Sequence, residues 1–204
     1  MAIFVNVLGV LRDPVPTLRH IKRTVKWGEA WLVLIAGLVI AGIVSAIAAV
    51  ITSKSADVAN IFFQTLAYDT IGSLITFVAF VFVAHWFFRT LEHRGEWKKL
   101  FVLETYPFVT VKILTVVFGA LATLSSGGST TLNAGTIIGF IFTFFVILLV
   151  VYGLMLYILA ARENYGASLA QTTIVILVAA LLTFYVSLLS LLNLAGLTGG
   201  SPTG

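Results

Sequence analysis

Residues 100–121 read LFVLETYPFVTVKILTVVFGAL, an almost continuous apolar run that nevertheless contains Glu104, Pro107 and Lys112. A helix of this length can cross the roughly 30 Å hydrocarbon core of a bilayer. A lysine near the middle of such a helix costs roughly 2.5–3.5 kcal/mol on insertion scales, so Lys112 needs a partner or a function there. The stretch therefore raises the question of what solvent surrounds the chain.

The composition answers that question in favour of a membrane. Apolar residues make up 60% of the 204 residues and charged residues 10%, whereas soluble domains average about 45–50% and 25%. The absence of cysteine excludes disulfides and thiol nucleophiles. The chain has no basic face on a water-soluble module, so nucleic acid is not an expected partner. We expect an integral membrane protein in contact with the lipid bilayer.

The predicted fold is all-α with five transmembrane helices, over about 30–51, 70–91, 103–124, 136–161 and 168–194. Residues 1–29 are predicted to form cytoplasmic or interfacial amphipathic and basic helices, and Thr17 is the expected N-cap of the second of them. The apolar start MAIFVNVLGVL has no basic residue before it and does not resemble a cleaved signal peptide. Residues 195–204 are predicted to be a flexible tail. Residues 57–69 are too short to cross alone and form either an interfacial helix or an extension of the second span.

The basic residues predict the orientation. Ten of the twelve Lys and Arg residues lie before the first span or in the links that follow spans two and four, while Lys54 alone lies on the other side and Lys112 lies within a span. By the positive-inside rule, the N-terminus is cytoplasmic and the C-terminus outside. We therefore expect a multi-pass protein of the cell membrane.

Small residues recur every fourth position in the first span, at Gly37, Ala41, Ser45 and Ala49. Such a stripe lets another helix approach closely, because dispersion and backbone contacts drive helix association in lipid. The partner is either another helix of the same chain or a second copy in a homo-oligomer.

His85, Glu104 and Lys112 form a candidate intramembrane polar site. Spans two and three are antiparallel neighbours, so His85 and Glu104 are expected at similar depth, where a hydrogen bond would lower the cost of burying both. Pro107 is expected to kink its helix by removing a backbone donor. Lys112 then either makes a structural hydrogen bond near this site or belongs to a proton, ion or anionic-substrate path.

Catalysis is not expected from this sequence. The spans contain no Ser–Lys, paired-Asp or Glu-plus-two-His arrangement with catalytic spacing. The three histidines, His20, His85 and His93, are dispersed along the chain, so no metal site is expected. No cofactor-binding motif is present either.

The layout as a whole resembles the Yip domain family of membrane proteins, named for interaction with Ypt/Rab GTPases. The resemblance covers about 11–194, and four stretches carry it: LRDPVPTLRHI, WGEAWLVLIAGLVIAGI, WFFRTLEHRGEWKKLFVLETYPF and LYILAARENYGASLAQTTIVILVAALL. It implies five membrane helices, a cytoplasmic N-terminus and a structural role for Pro107. The acidic-Leu-Tyr-Gly-Pro motif of the eukaryotic trafficking members is absent, so the chain is similar to the compact prokaryotic members and Rab binding is not implied.

Two functions remain open on these observations. The first is a non-enzymatic scaffold or adaptor with a membrane-organising role, whose basic cytoplasmic surface binds acidic lipids or a membrane or cytoplasmic protein partner. The candidate residues of that surface are Arg19, Lys22, Arg23, Lys26, Arg94, Lys98 and Lys99. The alternative is a small transporter or transporter subunit that uses Lys112, Glu104 and His85.

Overall fold

The computed structural model describes residues 2–53, 57–126 and 134–194, and within these ranges the chain forms seven α-helices and no strand. The helices are α1 (Ala2–Arg12), α2 (Pro14–Thr24), α3 (Trp27–Thr52), α4 (Val58–Thr90), α5 (Trp97–Ser126), α6 (Ala134–Tyr165) and α7 (Leu169–Leu194). The predictions for Lys54, for most of the link between α5 and α6 and for the tail 195–204 concern residues outside the described ranges.

Four helices have the length and apolar composition of membrane spans: α3, α4, α5 and α6. Large apolar side chains, such as Ile47, Phe82, Phe144 and Leu181, are exposed around the outside of the bundle. A water-soluble protein rarely exposes contiguous apolar surface of this extent, but a protein surrounded by lipid requires it. The protein is therefore an all-α membrane protein. The fifth predicted span coincides with α7, whose described apolar part is Leu169–Tyr185.

Helix α5 is the centre of the bundle. It packs most extensively along α6 and α3, and it also contacts α1, α2 and α4. Helices α4 and α7 complete the arrangement, because α4 packs on α3 and α7 packs on both α4 and α6. As a result, every residue from Leu100 to Val111 except Phe108 is buried. The helix also continues through Pro107.

The close approach of α3 and α5 depends on the small-residue stripe of α3. A Cβ atom added at Gly37 would overlap Cγ1 of Val109, so only glycine fits at this contact. Ala41, one turn further along α3, is completely buried. The structure therefore places both residues against other helices of the same chain.

Helix α4 is continuous from Val58 to Thr90, so residues 57–69 extend the second span and are not a separate interfacial helix. The side chain of Asp57 accepts a hydrogen bond from the Asn60 backbone and caps the start of the helix. This extension carries Asp69 into the interior of a long helix.

The N-terminal residues form a helical hairpin that lies against the bundle. Helices α1 and α2 pack on each other through Gly9, where an added Cβ would meet the Thr17 side chain at 2.8 Å. The hydroxyl of Tyr152 in α6 donates to the backbone oxygens of Val10 and Leu11, at 3.3 Å and 3.1 Å. The hairpin is therefore attached to the C-terminal part of the chain.

The expected N-cap of α2 was wrong by four residues. The helix begins at Pro14 with Asp13 in the N-cap position, and the hydroxyl of Thr17 donates to the Asp13 carbonyl. Proline is favoured at the first helical position because its missing N–H is not needed there. The helix can therefore begin at the first proline.

We predict that Gly37→Ala destabilises the protein by about 1–3 kcal/mol, the usual cost of overpacking. The new methyl group would overlap Val109, whose β-branched side chain has little freedom to move. Gly119→Ala on α5 is the matched control, since an added Cβ there has no atom within 4 Å. Unfolding in detergent measures both effects, and Val109→Ala should restore the stability of Gly37→Ala. Equal effects at Gly37 and Gly119 would contradict this account.

Candidate functional site

Lys112 forms an ion pair with Asp69, which links α5 to α4. Its Nζ lies 2.5 Å from Oδ1 of Asp69. The two side chains are only 22% and 20% exposed. Each charge is thereby compensated within a helix that has the composition of a membrane span, where an unpaired charge would be costly. The ion pair answers the question that Lys112 posed in the sequence.

Two serines complete the coordination of the Asp69 carboxylate. Ser45 on α3 donates to Oδ2 at 2.9 Å, and Ser73, one turn along α4, lies 3.5 Å from Oδ1. The carboxylate thus receives donors from three helices. We call these four residues, Asp69, Lys112, Ser45 and Ser73, the Asp69 cluster.

Glu104 lies apart from this cluster. Its side chain is completely buried where α5 packs against its neighbouring helices. Neither of its carboxyl oxygens has a hydrogen-bond partner among the described residues. Tyr157 and Tyr165 of α6 lie within electrostatic range of the carboxyl group. The hydrogen bond expected between Glu104 and His85 is not formed.

His85 is instead joined to the end of α6. Its Nδ1 lies 2.5 Å from the hydroxyl of Tyr165, and the Tyr165 ring stacks on Phe88 at a centroid distance of 4.1 Å. Gly166 follows with a φ of +64°, in the left-handed region that glycine adopts at helix C-termini, and its N–H bonds the Arg162 carbonyl. The contacts of His85 therefore fix the end of α6 against α4.

The three residues of the predicted polar site thus occupy three different settings. Lys112 is paired with Asp69, His85 is bonded to Tyr165, and Glu104 has no hydrogen bond within the described ranges. Asp69 and Ser73 were missed as site residues, and Ser45 was assigned only to the packing stripe. The described residues contain no group of three or more His, Asp or Glu side chains that could hold a metal ion.

The basic residues gather where α2 and the starts of α3 and α5 meet. Trp27 and Trp97 are in edge contact with ring centroids 4.8 Å apart, which places the starts of α3 and α5, and with them Lys26 and Lys98, at the same end of the bundle. Three cations are paired with carboxylates: Arg19 and Lys22 with Glu163, and Lys99 with Glu96. Among the described residues, no carboxylate forms an ion pair with the other four candidate cations, which we call the free basic surface: Arg23, Lys26, Arg94 and Lys98.

We predict that Lys112→Met destabilises the protein by about 3 kcal/mol, because it leaves the Asp69 carboxylate without its counter-charge. Asp69→Asn should cost a similar amount, and the double variant should be more stable than the sum of the two single effects implies. Unfolding in detergent gives all four free energies of the cycle. Ser73→Ala is the control, since it removes only the longest contact of the cluster. Additive single effects would exclude a direct Asp69–Lys112 interaction.

Comparison with known proteins places this arrangement in a family. A family model described as the Yip1 domain matches residues 8–191, which covers α3 to α6 completely and most of α7. No curated protein and no solved structure matches the chain. The match extends over nine-tenths of the sequence and agrees with the resemblance seen in its motifs. The chain belongs to the Yip1 domain family of membrane proteins.

Proposed function

We propose that the protein is a non-enzymatic membrane adaptor of the Yip type, which uses its free basic surface to bind anionic lipid headgroups. The observation that supports this best is a set of four cations with which no carboxylate of the described residues forms an ion pair: Arg23, Lys26, Arg94 and Lys98. The other three candidate cations are neutralised by Glu163 and Glu96. Cations near a membrane surface attract anionic lipid by about 1 kcal/mol each. An acidic protein partner is the second ligand that this surface suits.

The proposal includes an orientation. With α7 as a fifth span, the free basic surface faces the cytoplasm of a cell membrane and the C-terminus lies outside, as the distribution of Lys and Arg favours. The exposed indole of Trp97 supports this, since aromatic side chains are enriched at the membrane–water interface.

The orientation can be tested with a reporter enzyme that is active only in the cytoplasm. We predict that this reporter is inactive when it is fused after residue 204, because five spans would place it outside the cell. An active fusion would refute the five-span arrangement.

We predict that Lys98→Gln lowers the preference for anionic over zwitterionic lipid about fivefold, as expected for the loss of about 1 kcal/mol. The protein is reconstituted in an equal mixture of phosphatidylglycerol and phosphatidylcholine, and native mass spectrometry counts the lipids that remain bound. Arg94→Gln should act in the same direction, because within the described ranges no carboxylate forms an ion pair with Arg94 either.

Lys99→Gln is the matched control for this experiment. It removes the same charge from the neighbouring residue, but Lys99 is paired with Glu96 at 2.6 Å. Its effect should therefore be smaller than that of Lys98→Gln. Equal lipid ratios in the wild type and the Lys98 variant would reject lipid binding, and a stoichiometric protein that dissociates at high salt would favour the acidic partner.

The Asp69 cluster favours a second candidate, a small transporter or transporter subunit. Paired ionisable groups inside membranes commonly mark proton and ion paths. Lys112 is still a candidate residue of the transport path, but it is paired with Asp69 and not with Glu104 or His85. His85 and Glu104 lie nearer the basic end of the bundle, since His85 is close to the end of α4 and Glu104 is close to the start of α5.

We predict for this candidate that proteoliposomes dissipate an imposed pH gradient faster than protein-free liposomes, as reported by a pH dye in the lumen. The double variant Asp69→Asn/Lys112→Met should lose this flux while remaining folded, because it removes both charges together. Ile47→Val, at an exposed position on α3, is the control. If wild-type proteoliposomes lose the gradient no faster than empty ones, the transport function is excluded.

A further inference from the structure

A cleft of about 320 Å³ lies between the C-terminal halves of α3 and α5. Its wall is made almost entirely of small or hydroxyl-bearing side chains: Ser45, Ala48, Ala49, Thr52, Val116, Gly119, Ala120 and Thr123. The two helices touch closely at Gly37 and Val109, and they separate toward Thr52 and Thr123. The cleft is therefore a space that the short side chains of both helices leave unfilled.

The cleft reaches the Asp69 cluster. Ser45 lines it, and the same hydroxyl donates to the Asp69 carboxylate, whose other oxygen contacts Lys112. Val116, another wall residue, lies one helical turn beyond Lys112 on α5. Ser45 thus connects the ion pair to one end of the cleft, and the ends of α3 and α5 form the other end.

The incomplete burial of the ion pair indicates what fills this space. About one-fifth of each charged side chain is exposed, and an exposed charge in contact with hydrocarbon would be very costly. Water removes most of this cost, because it solvates the charged groups and raises the local dielectric constant. A cleft of about 320 Å³ is large enough to hold several waters.

We propose that this cleft is a water-filled vestibule, which connects the Asp69 cluster to the aqueous phase on the side opposite the free basic surface. Its ligands are water, protons and small hydrated ions, which reach Asp69 past Thr52 and Thr123. The vestibule is independent of both proposed functions, since hydration of the ion pair requires neither lipid binding at the other end nor net transport.

The absence of native cysteine makes the vestibule directly measurable. Single cysteines at Ala48, Val116 and Ala120 are exposed to a membrane-impermeant methanethiosulfonate reagent, in intact cells and in inverted vesicles. The cysteine thiolate attacks the sulfur of such a reagent and displaces its sulfinate group. Because the thiolate forms in water and not in lipid, the three cysteines should react at least about tenfold faster than lipid-facing ones. Ile47→Cys and Leu121→Cys are the matched controls, because each is adjacent to a wall residue and exposed on the outside of its helix.

A fourth cysteine establishes the side of access. Lys98→Cys, on the free basic surface, should react from one side of the membrane, and the vestibule cysteines should react from the other.

The substitution Gly119→Leu is expected to close the cleft. An added Cβ at Gly119 meets no atom within 4 Å, so there is room for the larger side chain. It should slow the labelling of Val116→Cys at least about tenfold, as expected for a thiol removed from water.

Two results would overturn the proposal. If the wall cysteines react as slowly as Ile47→Cys and Leu121→Cys, the cleft holds a lipid chain or a helix of a second copy. If they react from the same side as Lys98→Cys, the ion pair is hydrated from the basic end. The wall substitutions are small and lie at three separate positions, so failure of one variant to fold leaves the test intact.

Discussion

The ion pair between Asp69 and Lys112, together with the hydrogen bond from Ser45, determines how α3, α4 and α5 align. Apolar helices in lipid pack through dispersion, which changes little when one helix slides along another by a turn. A carboxylate and an ammonium group lose their partner in such a shift, and the cost of an uncompensated charge opposes it. Because Ser45 adds α3 to the same carboxylate, the register of α3, α4 and α5 is set at a single point.

Much of this architecture could be predicted from the sequence, because long apolar runs can only be buried in lipid. The packing stripe could also be predicted, because small residues such as Gly37 at every fourth position of a membrane helix indicate close packing against another helix. The partner of Lys112 does not follow from the sequence in the same way, because hydropathy starts the second span at Thr70 and leaves Asp69 outside it. The available indication is Asp69 itself, which lies within the otherwise apolar stretch FFQTLAYDTIGSLITF. Hydropathy alone does not recognise it, because it places the end of a membrane helix at such a charge.

His85 and Glu104 show a different limit of sequence reasoning. The sequence places His85 and Glu104 at similar depths on neighbouring helices. A hydrogen bond between them also requires that each helix be rotated about its axis so that the two side chains face each other. His85 points toward the end of α6, where Tyr165 supplies the partner. Tyr165 lies 80 residues from His85 in sequence, and the expectation that α4 and α5 pack as antiparallel neighbours says nothing about where α6 lies.

The hairpin of α1 and α2 has a consequence for biosynthesis. These helices leave the ribosome before α5 and α6 do, yet they pack on both of them. They are held to α6 by the Tyr152 hydroxyl and by the contacts of Glu163 with Arg19 and Lys22. Their binding surface does not exist until most of the chain has been translated and inserted. The N-terminal segment must therefore remain undocked during insertion of the first spans, and its attachment marks the completion of the bundle.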